Sequence, residues 1–136
     1  MDTLSFLLKL HSGLRWLVVA VTIIALVWFL LVWLAKRRNE KADRALMGAF
    51  SGLIDLQVLV GIIYIIWSGS TGVGYPSYRI KHGVAMIIAA VVSHLSMRWR
   101  TAEPKVRARN NVILIVVVLA LIFIGISFLP QGWIGS

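Results

Sequence analysis

Four side chains in this sequence carry chemistry into an otherwise apolar setting: His11, Asp55, His82 and His94. An ionisable group at bilayer depth is costly, so each is a candidate functional residue. Neutral imidazoles on two helices of a bundle are one axial ligand set for haem iron. His11 precedes one apolar run by a turn and His82 opens another, so their depths differ by roughly 6 Å at 1.5 Å per residue. Helix tilt absorbs an offset of that size. The propionates of a haem b need cations near the water boundary. Arg15, Arg79 and Lys81 stand close to the two histidines in sequence. Met86 follows His82 by four residues on the same helix face and is placed to pack on a ring. Gly13 and Gly83 would leave space for a flat macrocycle. The same residues also fit a plainer role, with interfacial histidines as amphipathic side chains and Lys9, Arg15 and Lys81 snorkelling to water.

Asp55 and His94 form a second set. Asp55 lies twelve residues before Trp67, and His94 twelve residues after His82. Both therefore fall at similar depth in the membrane interior, where a carboxylate and an imidazole can pair, share a proton or both stay neutral. Such pairs serve as a proton relay or a quinone head-group site, or fix helix register. Ser51, Ser93 and Ser96 lie nearby in sequence. Gln57 falls on another face of its helix, about 200° round from Asp55. His94 is rotated about 120° from His82, so one cofactor does not use both.

The elements that position these residues are read from composition. The chain has 136 residues, 60% of them hydrophobic and 14% charged, with mean hydropathy +0.89. Soluble domains carry about 45–50% apolar residues, so lipid is the fitting solvent. Cysteine is absent, which excludes disulfides, thiolate metal sites and covalent c-type haem. The net charge of +9 does not indicate nucleic acid, because the basic residues bracket apolar runs. The first run ends in Lys36-Arg37-Arg38 with no small-residue cleavage site after it, and reads as a retained anchor.

The hydrophobic runs predict four spans, at about 14–36, 45–67, 79–100 and 110–129. Pro130 stops the last. Residues 36–44 and 98–109 together hold ten of the fourteen Lys and Arg, whereas 68–78 is rich in Gly, Ser and Pro and uncharged. The positive-inside rule then places both basic loops in the cytoplasm and both termini outside. Trp16, Trp67 and Trp133 would mark the outer interface, Trp33 and Trp99 the inner one. Short loops favour antiparallel neighbours, so the expected fold is an all-α, integral membrane, up-down-up-down four-helix bundle. Gly48 and Gly52 form a GxxxG pair, expected to serve close helix packing.

Three runs carry a family likeness: Leu10-His11-Ser12-Gly13-Leu14-Arg15-Trp16-Leu17-Val18, then Asp55-Leu56-Gln57-Val58-Leu59-Val60-Gly61, then Lys81-His82-Gly83-Val84-Ala85-Met86. In this order they resemble small four-helix bacterial membrane proteins of the cytochrome b or cytochrome b561-like type. The resemblance implies a bacterial inner-membrane protein, with His11 and His82 matching the family's first- and third-helix histidines. The family's second-helix run often begins with histidine, where this chain has Asp55. Its third-helix start is Glu-His-Pro-like, where this chain has Lys81-His82-Gly83.

Three functions compete at this stage. One is an electron-transfer protein with one haem b near the outer face, linked to quinol, with Asp55 and His94 handling protons. Another is a non-catalytic accessory subunit of a larger respiratory or photosynthetic membrane complex. The remaining one is a small transporter coupled through Asp55. The sequence holds no nucleophile triad, zinc motif or phosphate loop.

Overall fold

The computed structural model describes residues 2–36, 38–130 and 132, and these form helices and connections without a strand. Helix α1 (Thr3–Leu34) begins at Asp2, whose side chain accepts the Ser5 N–H at 2.8 Å. That bond holds the Asp2 carboxyl below the usual carboxylate range. At 1.5 Å per residue α1 is about 48 Å long, against about 30 Å of hydrocarbon. It therefore starts well before the first predicted span, and His11 lies inside the helix. Lys36, at φ 56°, takes the left-handed conformation that ends the chain's first helix.

Helix α2 (Glu40–Ser68) is capped by Asn39, which accepts the Ala42 N–H at 3.1 Å. It runs on into a π-helical turn, Gly69–Val73. Helix α3 (Ser77–Ser93) follows Pro76 and tightens into a 3₁₀ turn at His94–Trp99. The third predicted span is thus α-helical only as far as Ser93. Helix α4 (Pro104–Ser127) carries proline at its first position, where a missing N–H costs nothing. It ends three residues before Pro130, not at Leu129.

Helix α1 packs against α2 and α4, and α3 packs against the same two, so α1 and α3 lie on one diagonal. The early part of α1 meets the late part of α2, and its late part meets the starts of α2 and α4. The helices therefore alternate in direction, as the short connections predict. With the turns that extend α2 and α3 included, the four helical stretches Thr3–Leu34, Glu40–Val73, Ser77–Trp99 and Pro104–Ser127 are each long and apolar enough to cross a membrane. Phe29, Phe50, Ile115, Val118 and the small Ala25 and Ala89 fill the centre. Leu17, Ile23, Leu59, Val91, Ile113 and Phe123 are more than half exposed. An apolar exterior of this kind matches a lipid solvent.

The end bearing the basic connections is tied by a buried ion pair. Arg107 donates to Asp43 Oδ2 from Nη2 at 2.7 Å and from Nε at 3.1 Å. Trp28 Nε1 donates to Asp43 Oδ1 at 2.7 Å, so α1, α2 and α4 meet at one carboxylate. Arg107, grouped with the loop cations by its sequence neighbours, is a buried residue of α4. Trp99 Nε1 likewise donates to buried Asn111 at 2.7 Å, a tie within the bundle as well as an interfacial ring. Trp28→Phe is expected to cost about 1.5–3 kcal/mol, the range for a hydrogen bond to a charged group. Thermal unfolding in detergent checks it.

The GxxxG pair does not pack within the chain. A Cβ added at Gly48 or at Gly52 meets nothing within 4 Å. Both glycines face outward from α2, because the rotation of that helix is set by Met47, Phe50 and Ile54 turning into the core. Trp133 lies outside the described residues.

Candidate functional site

His11 on α1 and His82 on α3 face each other across the diagonal. Their ring centres are 6.4 Å apart and their planes cross at 86°. Both line a cavity of about 380 Å³ at the end of the bundle away from the basic connections. Arg15, Arg79 and Met86 line it too. Lys81 does not; its Nζ sits 5.8 Å over the Phe128 ring. The reason is helical rotation, since Lys81 is one residue, or about 100°, away from His82.

The local chemistry of His82 follows from the end of α4. The last carbonyls of a helix have no intrahelical donor. Gly125 lies in that last turn, and its carbonyl meets His82 Nδ1 at 2.9 Å. A carbonyl only accepts, so Nδ1 carries the proton and the neutral ring presents its lone pair at Nε2. A fixed tautomer of this type is how a metal-binding histidine is oriented. Gly125 also admits Met86, because an added Cβ would collide with Met86 Cε and lie 3.1 Å from Ala85 Cβ.

His11 is seated by α2. Gln57 Nε2 donates to the His11 carbonyl at 2.7 Å. One turn further along α2, Gly61 lies flat against the imidazole, where an added Cβ would stand 2.9 Å from His11 Cε1. His11 Nδ1 and Gln57 Oε1 are buried without hydrogen-bond partners among the described residues. Gln57 and Gly61 were legible only as members of the second-helix run, and Gly125 gave no sequence signal. Gly13 and Gly83, expected to make room, do little: a Cβ meets nothing within 4 Å at Gly13 and only Ile65 Cδ1, at 3.4 Å, at Gly83.

Gly61→Ala and Gly13→Ala should therefore differ in sign. The first drives a methyl into the imidazole and should cost about 1–3 kcal/mol. The second fills open space in a helix and should gain up to about 1 kcal/mol. Unfolding midpoints of the two variants check this.

The cations of the cavity are arranged in detail. Arg79 Nη1 donates to Ser68 Oγ at 2.8 Å, and its Cζ lies 5.4 Å over the Tyr64 ring. Arg15 Cζ lies 5.0 Å over the Trp16 ring. Among the described residues no group of three or more His, Asp and Glu side chains gathers as for a metal ion. His11 and His82 line this cavity from two different helices.

Asp55 and His94 do come together, with Nε2 to Oδ2 at 2.7 Å. The pair is not in the bundle interior, however. Asp55 is 46% exposed and His94 47% exposed, on the flank where α2 meets the turn after α3. The bundle centre at this level is taken by Phe50, Ile54 and Ala89, which turn the polar residues outward.

Compared with protein-family models, with curated proteins and with solved structures, the chain shows no match. The likeness to cytochrome b proteins rests on the three sequence runs alone.

Proposed function

We propose that this chain is a multi-pass membrane protein of the b-type cytochrome kind, holding one haem b between His11 and His82 and exchanging electrons within the membrane. The convergence of two imidazoles from diagonal helices on one cavity carries the proposal. Metal–imidazole bonds are about 2 Å long and each ring centre lies about 1 Å behind its nitrogen, so two imidazoles that would hold one metal between them have centres about 6 Å apart. The observed 6.4 Å fits that spacing. The glycines on the other diagonal, Gly61 and Gly125, supply close approach where side chains would obstruct.

When bound, the haem supplies one-electron chemistry. The protein's residues do the rest. The Gly125 carbonyl fixes the His82 tautomer, and Gly61 makes room for the His11 ring. Arg15 and Arg79 supply cations for carboxylate groups. Ile54, Val58, Leu119 and Ile122 line the cavity with apolar surface and limit water. Asp55 and His94 can hold a proton between Oδ2 and Nε2, where a membrane-soluble quinol could exchange it. The basic connections fit the cytoplasmic side of a bacterial inner membrane, which puts the histidine end outside.

The test is the visible spectrum of the detergent-purified protein. A reduced-minus-oxidised haem band that disappears in His11→Ala supports the proposal. Absence of any band in wild type purified from haem-supplemented cells overturns it.

A further inference from the structure

The opposite end of the bundle holds a second cavity, of about 560 Å³, between the start of α2, the turn after α3 and the start of α4. Its floor is the Asp43–Arg107 pair. Its three arginines outnumber its two acids, Glu40 and Asp43. Arg107 is consumed by Asp43, whereas Arg44 and Arg100 are exposed and their side chains make no hydrogen bond or ion pair among the described residues. Thr101 and His94 line the same space, adding a hydroxyl and an imidazole. Positive charge, polar donors and an opening at the end of apolar helices are the ingredients of a phosphate headgroup site.

An exposed face of α2 leads away from this cavity. Gly48 lines the cavity, and Gly52 lies one turn further; neither would meet any atom with an added Cβ. Leu56 and Leu59 follow, both exposed. This face is apolar and open, and it begins at the cavity that Arg44 and Arg100 line. The half-exposed Asp55–His94 pair borders this face.

We propose that this cavity binds an anionic phospholipid. The phosphate sits against Arg44 and Arg100, with Thr101 and His94 beside it, and one acyl chain lies over Gly48 and Gly52. The Asp43–Arg107 pair is the wall of the site and not its ligand.

The experiment measures the melting midpoint of the full chain in phosphatidylcholine micelles during titration with phosphatidylglycerol. The wild type should show a saturable upward shift. Arg44→Gln/Arg100→Gln should weaken the apparent affinity about thirtyfold, two basic side chains' worth near an anionic surface. Arg98→Gln/Lys105→Gln removes the same charge at the same end, outside the cavity, and should bind as wild type does. A second titration adds inorganic phosphate to the phosphatidylcholine micelles. Phosphatidylglycerol acting alone, and through Arg44 and Arg100, supports the site. An equal shift with inorganic phosphate, equal losses in both double variants, or no shift in wild type overturns it.

Discussion

Arg107→Ala is expected to lose about 3–5 kcal/mol of stability, because breaking a buried ion pair from one side strands the other charge. Asp43 is 4% exposed and Arg107 9% exposed, so neither has water to fall back on. With the guanidinium gone, Asp43 keeps, among the described residues, the Trp28 N–H. The Ala102 carbonyl also loses its donor, Arg107 Nη1, at 3.0 Å. A large loss here does not mean that the pair itself contributes that much. Replacing both partners with apolar residues of similar volume, as in Asp43→Leu/Arg107→Met, should recover most of it. Denaturant unfolding of the two single variants and the double variant closes the cycle. A single-variant loss under about 1 kcal/mol would show that water reaches the pair, since that is the range of exposed bridges.

His82→Ala has the other large expected effect, loss of the haem band proposed above. Removing one of the two imidazoles that would hold the haem should lower bound haem to background, and His11→Ala should do the same. The neighbours grade the response. Arg79→Gln should keep the band and weaken haem retention, since it removes one cation of the cavity and spares both imidazoles. Lys81→Gln should leave spectrum and retention unchanged, because Lys81 lies over Phe128, away from the cavity. Added imidazole should restore part of the band in His82→Gly, which a purely structural role for His82 would not permit. A band that survives in both His11→Ala and His82→Ala would move the haem to another site and overturn the assignment of these two histidines.

The two histidine-bearing faces illustrate how far the sequence reaches. The runs around His11 and His82 were enough to propose a shared level and a common ligand. They were silent on Gln57, Gly61 and Gly125, because each belongs to a helix whose rotation is fixed by residues elsewhere. Lys81 shows the converse. Adjacent to His82 in sequence, it faces away in space, because one residue of helix is about 100° of rotation. Asp55 and His94, set at one depth by count along the chain, meet on the flank of the bundle and not in its centre. Depth is a count along the chain, whereas inward or outward depends on which side chains win the core.

What the amino-acid sequence determined by itself is one-dimensional: four apolar stretches of membrane-crossing length, basic residues gathered between particular pairs of them, and polar groups at given heights. These follow from length and hydropathy, which need no knowledge of neighbours. The tertiary structure decided which helices are diagonal, which glycines touch a ring, that Arg107 is a buried partner of Asp43, and that Asp55 and His94 open to the flank. Those outcomes depend on the rotation of each helix about its axis. That rotation is set by the joint packing of Phe29, Phe50, Ile115 and Val118 from three different helices, and no single stretch of chain contains it.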